Sequence, residues 1–167
     1  MPLALRTLLL PLLALPTLAA SAPHPSVIGT WMLVSATSTD ENGKGGRALY
    51  GKNPSGMLIY NADGTMSAVI SYDGRKRLSV VDREAAPAAE RAEAFASFIA
   101  YAGRYRLTGN RIAHHVEVGS VQNWVGTDLT RDLEVTGDRL TLRTPPTRIG
   151  SQLQIVELVW ERARPTK

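Results

Sequence analysis

The sequence predicts an all-β fold: about eight antiparallel strands wound up-and-down into a closed barrel, with one helix inserted after the third strand. Three observations carry this. Short segments of period-two alternation recur along the chain, most of them separated by tight turns containing glycine. Only one stretch changes to helical spacing. Connections this short favour pairing between nearest neighbours over the long crossovers of a two-sheet sandwich, and about eight strands suffice to close a sheet and remove its edges.

Taken in order, residues 29–39 alternate as the first strand, with Trp31, Leu33 and Ser35 on one face and Met32, Val34 and Ala36 on the other. A polar, glycine-rich loop covers 40–46. Residues 56–61 and 65–72 form a hairpin around Ala62-Asp63-Gly64. Over 88–102, Ala88, Ala92, Phe95, Phe98, Ile99 and Ala102 fall at helical spacing, with Glu90, Arg91 and Glu93 opposite them; Pro87 suits the first turn and Gly103 the stop. Strands resume over 104–108 and 111–118 around Gly109-Asn110, then over 126–136 and 139–144 around Gly137-Asp138. Pro145-Pro146 ends that pair, and 152–162 supplies the last strand.

The 167 residues, 44% hydrophobic and 20% charged, fit one globular domain. Before it, Arg6, an apolar leucine-rich run over 7–18 and the small-x-small triplet Ala20-Ser21-Ala22 read as a secretory signal. Pro11 and Pro16 interrupt a run already shorter than the ~20 residues a membrane anchor needs. The predicted organisation is a signal peptide over 1–22, a linker over 23–28, one barrel domain over 29–163 and a tail over 164–167, in a periplasmic or secreted protein with no membrane anchor after cleavage. There is no cysteine, so an exported chain draws its stability from packing without disulfides. The net charge of +4 is mild, and the one tight basic cluster, Arg75-Lys76-Arg77, has no aromatic residue interleaved. That is a solvated tip after the Asp73-Gly74 turn, and nucleic acid is not an expected partner.

Groups able to do chemistry concentrate between Asn110 and Asp132. On 111–118, Ile112, His114, Val116 and Val118 share one face, and Arg111, Ala113, His115 and Glu117 the other. The apolar face belongs inside, which turns His114 into the lumen. The same rule turns Arg131 inward with Leu129, Leu133 and Val135, and Tyr105 and Leu107 inward with Arg104 and Arg106 outward. Arg131 would offer a fixed fork to an anion, His114 a proton near neutral pH and Tyr105 a hydroxyl donor. A slip of one residue reverses any such assignment, so His115 stays a second candidate; Tyr60, Tyr101, Met57 and the loop residue Trp124 are further lining candidates.

Several motifs carry a family resemblance. Gly29-Thr30-Trp31 resembles the Gly-x-Trp signature of lipocalins, and Trp160-Glu161-Arg162 is similar to the arginine-bearing end of that fold. Tyr101-Ala102-Gly103-Arg104-Tyr105, His114-His115-Val116-Glu117, Asn123-Trp124-Val125-Gly126-Thr127 and Gly137-Asp138-Arg139-Leu140-Thr141-Leu142 resemble the lipocalin-like domain family of bacterial and fungal proteins, a match running from Gly29 to Arg162. The resemblance implies a calycin-type barrel in which Arg162 packs over Trp31 to close one end, so Gly29, Trp31, Trp160 and Arg162 are its structural signature. It also implies small-molecule binding, with cyclase or isomerase activity in some related barrels.

Each site residue has a plainer role as well. His114 suits a hydrogen-bonded core histidine, Arg131 a buried pair with Glu117 or Glu157, and Trp124 a cap on the barrel mouth. A metal centre is not predicted: His114 and His115 point to opposite faces, only His115 shares a side with Glu117, and the third histidine, His24, lies in the linker, whereas zinc needs at least three protein ligands. The chain has no cysteine nucleophile, no Gly-x-Ser-x-Gly elbow and no phosphate-cradling glycine loop, so no cofactor is expected. The reading is an exported barrel that binds a small, mainly apolar or amphipathic molecule bearing a polar or anionic group, through His114, Arg131, Tyr105, Trp124, Tyr60 and Tyr101. Two alternatives stand beside it: a cofactor-independent isomerase or cyclase using His114 or His115 with Tyr105, and a structural or interaction module whose barrel is filled by side chains.

Overall fold

The computed structural model describes residues 26–164. The expected signal peptide, His24 and the end of the tail lie outside them. Among the described residues there are ten strands, β1 (Gly29–Asp40), β2 (Arg47–Ala48), β3 (Ser55–Tyr60), β4 (Thr65–Ser71), β5 (Phe98–Thr108), β6 (Arg111–Gly119), β7 (Asp128–Thr136), β8 (Arg139–Arg143), β9 (Thr147–Ile149) and β10 (Gln152–Arg162), and one α-helix, α1 (Ala88–Ala96). Eight of these strands run antiparallel in the order β1-β3-β4-β5-β6-β7-β8-β10, and β10 returns to pair with β1. The fold is therefore the closed eight-stranded barrel that the hairpin pattern predicts, with α1 after the third barrel strand. β2 and β9 are two- and three-residue additions on the edges of β1 and β10.

Three expectations about the elements are corrected. The helix ends at Ala96 and β5 begins at Phe98, pairing with β4 from Ser71↔Phe98 to Thr65↔Arg104. The run Phe98-Ile99-Ala100-Tyr101-Ala102 is apolar throughout, so helical spacing and strand alternation both fit it, and pairing with β4 decides. No residue of α1 is buried, and Phe95 is exposed. In β1 the register shifts between Leu33 and Ser35, so the inward series runs Trp31, Leu33, Ala36, Ser38 and leaves Ser35 off the inner face. A second bulge interrupts β5–β6, where Ala102 faces Val118 but Gly103 faces Val116, and Val118 is turned outward, 64% exposed.

Gly103 shows why that bulge forms. A Cβ there would run into the His115 carbonyl oxygen and stand 2.8 Å from the Glu117 nitrogen, so only glycine lets the two backbones come this close.

Tight turns between β3 and β4, β5 and β6, and β7 and β8 gather at one end of the barrel, beside the start of β1 and the end of β10. This end is sealed. The Trp31 ring is fully buried, and its Nε1 donates to the Val27 carbonyl at 2.8 Å. The Arg162 guanidinium lies 4.1 Å from the centre of that ring, donates to the Ser26 and Ile28 carbonyls, and pairs with Asp138. Gly29 has a φ of +133°, and a Cβ on it would sit 2.8 Å from Arg162 Nη1, so the glycine makes room for the guanidinium. Trp160, Leu58, Tyr60, Ile112 and Leu140 complete the buried floor above it.

Candidate functional site

His114 projects inward from β6 and is almost fully buried. Both ring nitrogens are engaged by tyrosine hydroxyls: Nε2 by Tyr60 of β3 at 2.6 Å and Nδ1 by Tyr101 of β5 at 3.0 Å. Burial, reinforced by the charge of Arg131, pushes the imidazole down to about 3. The ring is thus neutral near pH 7, with one nitrogen donating and the other accepting, so one of the two tyrosines receives a hydrogen bond from it and the other gives one. In this setting His114 is an organiser of two phenols and a weak base.

The interior around it combines aliphatic residues with a cluster of tyrosines. All five tyrosines of the chain, Tyr50, Tyr60, Tyr72, Tyr101 and Tyr105, belong to the core or pack against it. Tyr50 and Tyr72 stack with ring centres 4.5 Å apart, Tyr60 meets Tyr105 edge-on at 4.8 Å, and Tyr101 meets Trp124 edge-on at 6.1 Å. Trp124 ends a short 3-10 turn (Gln122–Trp124) between β6 and β7.

Arg131 is the one inward-facing cation of this region. It is partly buried on β7, and its Nη1 donates to the Thr130 carbonyl at 2.8 Å. It makes no ion pair among the described residues, because Glu117 pairs with Arg104 and Glu157 with Arg143 on the outer face. The pairing of Arg131 with Glu117 or Glu157 entertained from sequence is therefore excluded. Its charge is felt by Tyr50, Tyr60, Tyr101 and His114: burial raises the pKa of all three phenols, and the guanidinium opposes that rise.

The other candidates lie elsewhere. His115 points outward, half exposed, with Nδ1 2.8 Å from the Asp128 carboxylate, and so stands apart from the interior. Tyr105 packs on Tyr60 but directs its hydroxyl to the Asn61 carbonyl at the sealed end. Leu107, on the same strand face, is 38% exposed beyond the core, and Met57 is 42% exposed on the outer wall, which removes both from the lining. Two lining residues were not among the candidates. Tyr72 shares the inward alternation of Met66, Ala68 and Ile70 and was legible by carrying that alternation two residues further. Tyr50 comes from the connection before β3 and has no periodic signal.

The interior is not uniformly closed. The inward residues of β8 and β10, such as Leu140, Leu142, Val156 and Trp160, are buried, whereas Ile99 and Tyr101 of β5 and Leu129, Arg131, Leu133 and Val135 of β7 keep partial contact with solvent. Among the clefts on the described residues, four stand out. Two lie between the 75–84 segment and α1, the larger about 380 Å³; one lies beside Ser38 and Gln154; and one is on the outer wall around Val69 and Val118. None of the four is lined by His114 or Arg131.

A closed eight-stranded barrel with a packed floor and an aromatic, singly charged upper interior is the architecture of a small-molecule-binding barrel. The model of the lipocalin-like domain matches residues 28–163, and the chain belongs to that family. Among curated proteins it is similar to the 4'-hydroxy-3'-methoxypropiophenone carrier protein ppsC of Aspergillus oryzae (strain ATCC 42149 / RIB 40), with 31% identity over 100 residues, covering 54% of this chain and 85% of that protein. Among solved structures it is similar to a mutant of the fluorescent protein UnaG, with 14% identity and a TM-score of 0.36 over 82% of this chain and 96% of that one.

Proposed function

We propose that this protein is an exported carrier that holds a small, mainly apolar molecule with a polar or anionic group inside the barrel, against Tyr101, Trp124 and Arg131. The observation that carries the reading is Arg131. An inward guanidinium that has no carboxylate partner among the described residues, set among phenols and apolar strand faces, offers a charge-assisted contact to a ligand oxygen. The aromatic lining favours a flat ligand over an alkyl chain. The similar Aspergillus protein, named for carrying a hydroxylated, methoxylated aryl ketone, supports the same class. Export rests on the residues before Pro23.

The test is direct binding of 4'-hydroxy-3'-methoxypropiophenone, followed by tryptophan fluorescence and native mass spectrometry. Saturable one-to-one binding, weakened about tenfold in Arg131→Met, is the expected result, matching the loss of one charge-assisted contact of about 1.4 kcal/mol. A protein recovered from the periplasm with Pro23 at its amino terminus supports export; retention of Met1 removes that part.

A second reading has its own observation. His114 already has both nitrogens satisfied by the protein's own tyrosines and the floor is fully packed, as in a barrel that serves only as a structural or interaction module. Absence of binding to any aromatic probe, with a folded barrel, favours it. An isomerase or cyclase acting through His114 would depend on a base that burial weakens, and His115 faces away from the interior.

A further inference from the structure

We propose that the ligand is bound as an oxyanion, a phenol acidified by a conjugated carbonyl, held ionised with its charged oxygen on the Arg131 guanidinium. The inference rests on the small-molecule-carrier reading and names the charge state that the site selects.

The argument is one of charge balance inside the barrel. Arg131 is permanently cationic. From the connection before β3 it feels Tyr50, from β3 Tyr60, from β5 Tyr101 and from β6 His114. Among the described residues, those facing inward supply no negative charge: Tyr72 closes β4, Leu140 and Leu142 line β8, and Ser38 and Gln154, hydrogen-bonded to each other, face inward from β1 and β10. The acids of the neighbouring strands are on the outside, Asp128 with His115 and Arg106, Asp132 with Arg111, and Glu134 with Arg143.

The protein's own phenols do not fill the deficit, since burial holds the Tyr50, Tyr60 and Tyr101 hydroxyls protonated. A guest phenol with a carbonyl conjugated through the ring delocalises its negative charge and ionises far more readily than tyrosine. It is therefore the group on which the guanidinium can act. The ionisation breaks the ligand O–H bond, leaves the electron pair on oxygen and releases the proton to solvent, because His114 resists taking it. Tyr101, whose ring is edge-on to Trp124, has its hydroxyl 3.0 Å from His114 Nδ1; with the imidazole proton on Nδ1, that hydroxyl accepts from His114 and keeps its own proton for the ligand oxygen.

The experiment is an absorbance titration of 4'-hydroxy-3'-methoxypropiophenone, free and bound, because the phenolate absorbs at longer wavelength than the phenol. The 3',4'-dimethoxy analogue, which has no proton to lose, is the control ligand. We expect the bound phenol to show its phenolate band at least one pH unit lower than the free compound, which corresponds to at least tenfold tighter binding of the ionised form. Arg131→Gln should abolish the displacement and Arg131→Lys should keep part of it. The dimethoxy analogue should bind at least tenfold more weakly at pH 8.

A bound ligand that keeps the neutral phenol spectrum up to its free pKa, or equal affinity for the two compounds, overturns the inference while leaving the carrier reading intact. Binding of neither compound removes the carrier reading and the inference with it. The comparison of the two ligands uses the unaltered protein, so it stands even where an Arg131 variant does not fold.

Discussion

His114 is where a single side chain controls the most. Its inward orientation followed from alternation alone, because Ile112 and Val116 share its face. Its partners did not, since Tyr101 reaches the ring from the paired strand β5 and Tyr60, 54 residues away on β3, reaches it only through the curvature of the sheet. The unfolded imidazole titrates near 6.5 and the folded one near 3, so between those values the unfolded chain binds the extra proton and stability rises with pH. The contribution is complete above about pH 6.5 and is lost as pH falls toward 3, on the order of 5 kcal/mol across the window. Urea denaturation at pH 7 and pH 4.5 should show the loss, and His114→Phe should flatten that part of the profile. At pH 7, His114→Phe strands the buried Tyr60 hydroxyl and should destabilise by about 1–3 kcal/mol, whereas His114→Phe combined with Tyr60→Phe should recover much of that difference. A double variant no more stable than the single one would show that packing around the ring, and not its hydrogen bonds, dominates.

At the scale of elements, the strand pattern was legible wherever alternation ran unbroken, and it failed at the bulges. One extra residue in β1 near Val34 and one in β6 at Glu117 carry no signature of their own, yet each reverses which side chains face inward beyond it. Hence unbroken alternation groups Ser35 with Trp31 and Val118 with the inward His114, whereas the bulges turn both away and bring Ala36 and Ser38 to the inner face. Gly103 was the available hint for the second bulge and read instead as a helix stop, because the apolar run before it satisfies either period. The bulge makes a sharp prediction. Gly103→Ala forces a methyl group against the β6 backbone and should cost about 3 kcal/mol in chemical denaturation, while Gly137→Ala, at a turn with φ of +58° and open space around it, should cost about 1 kcal/mol. Equal penalties would remove the close-approach explanation.

For the whole molecule, the strand count and the order of hairpins were legible because tight glycine turns mark most of the reversals, while β2 and β9 are too short to leave a pattern. Closure is the step that local sequence does not encode: β1 and β10 meet after more than a hundred residues, and Arg162 then clasps Trp31 and the Ser26 and Ile28 carbonyls. Arg162→Met keeps the apolar stem but drops these contacts, and a loss of about 2 kcal/mol in thermal or chemical melts is expected. A wild-type melt would mean that strand pairing alone seals that end.

Because Ala163 still donates to the Thr30 carbonyl, the two described ends of the chain emerge side by side beneath the plugged floor, far from the partly open rim. The barrel should therefore tolerate circular permutation: a short glycine-serine bridge from Arg164 to Ser26, with new termini cut at Gly137-Asp138, leaves every strand partner in place. A reporter joined directly after Arg164 would likewise hang from the base, on the side away from the partly open rim.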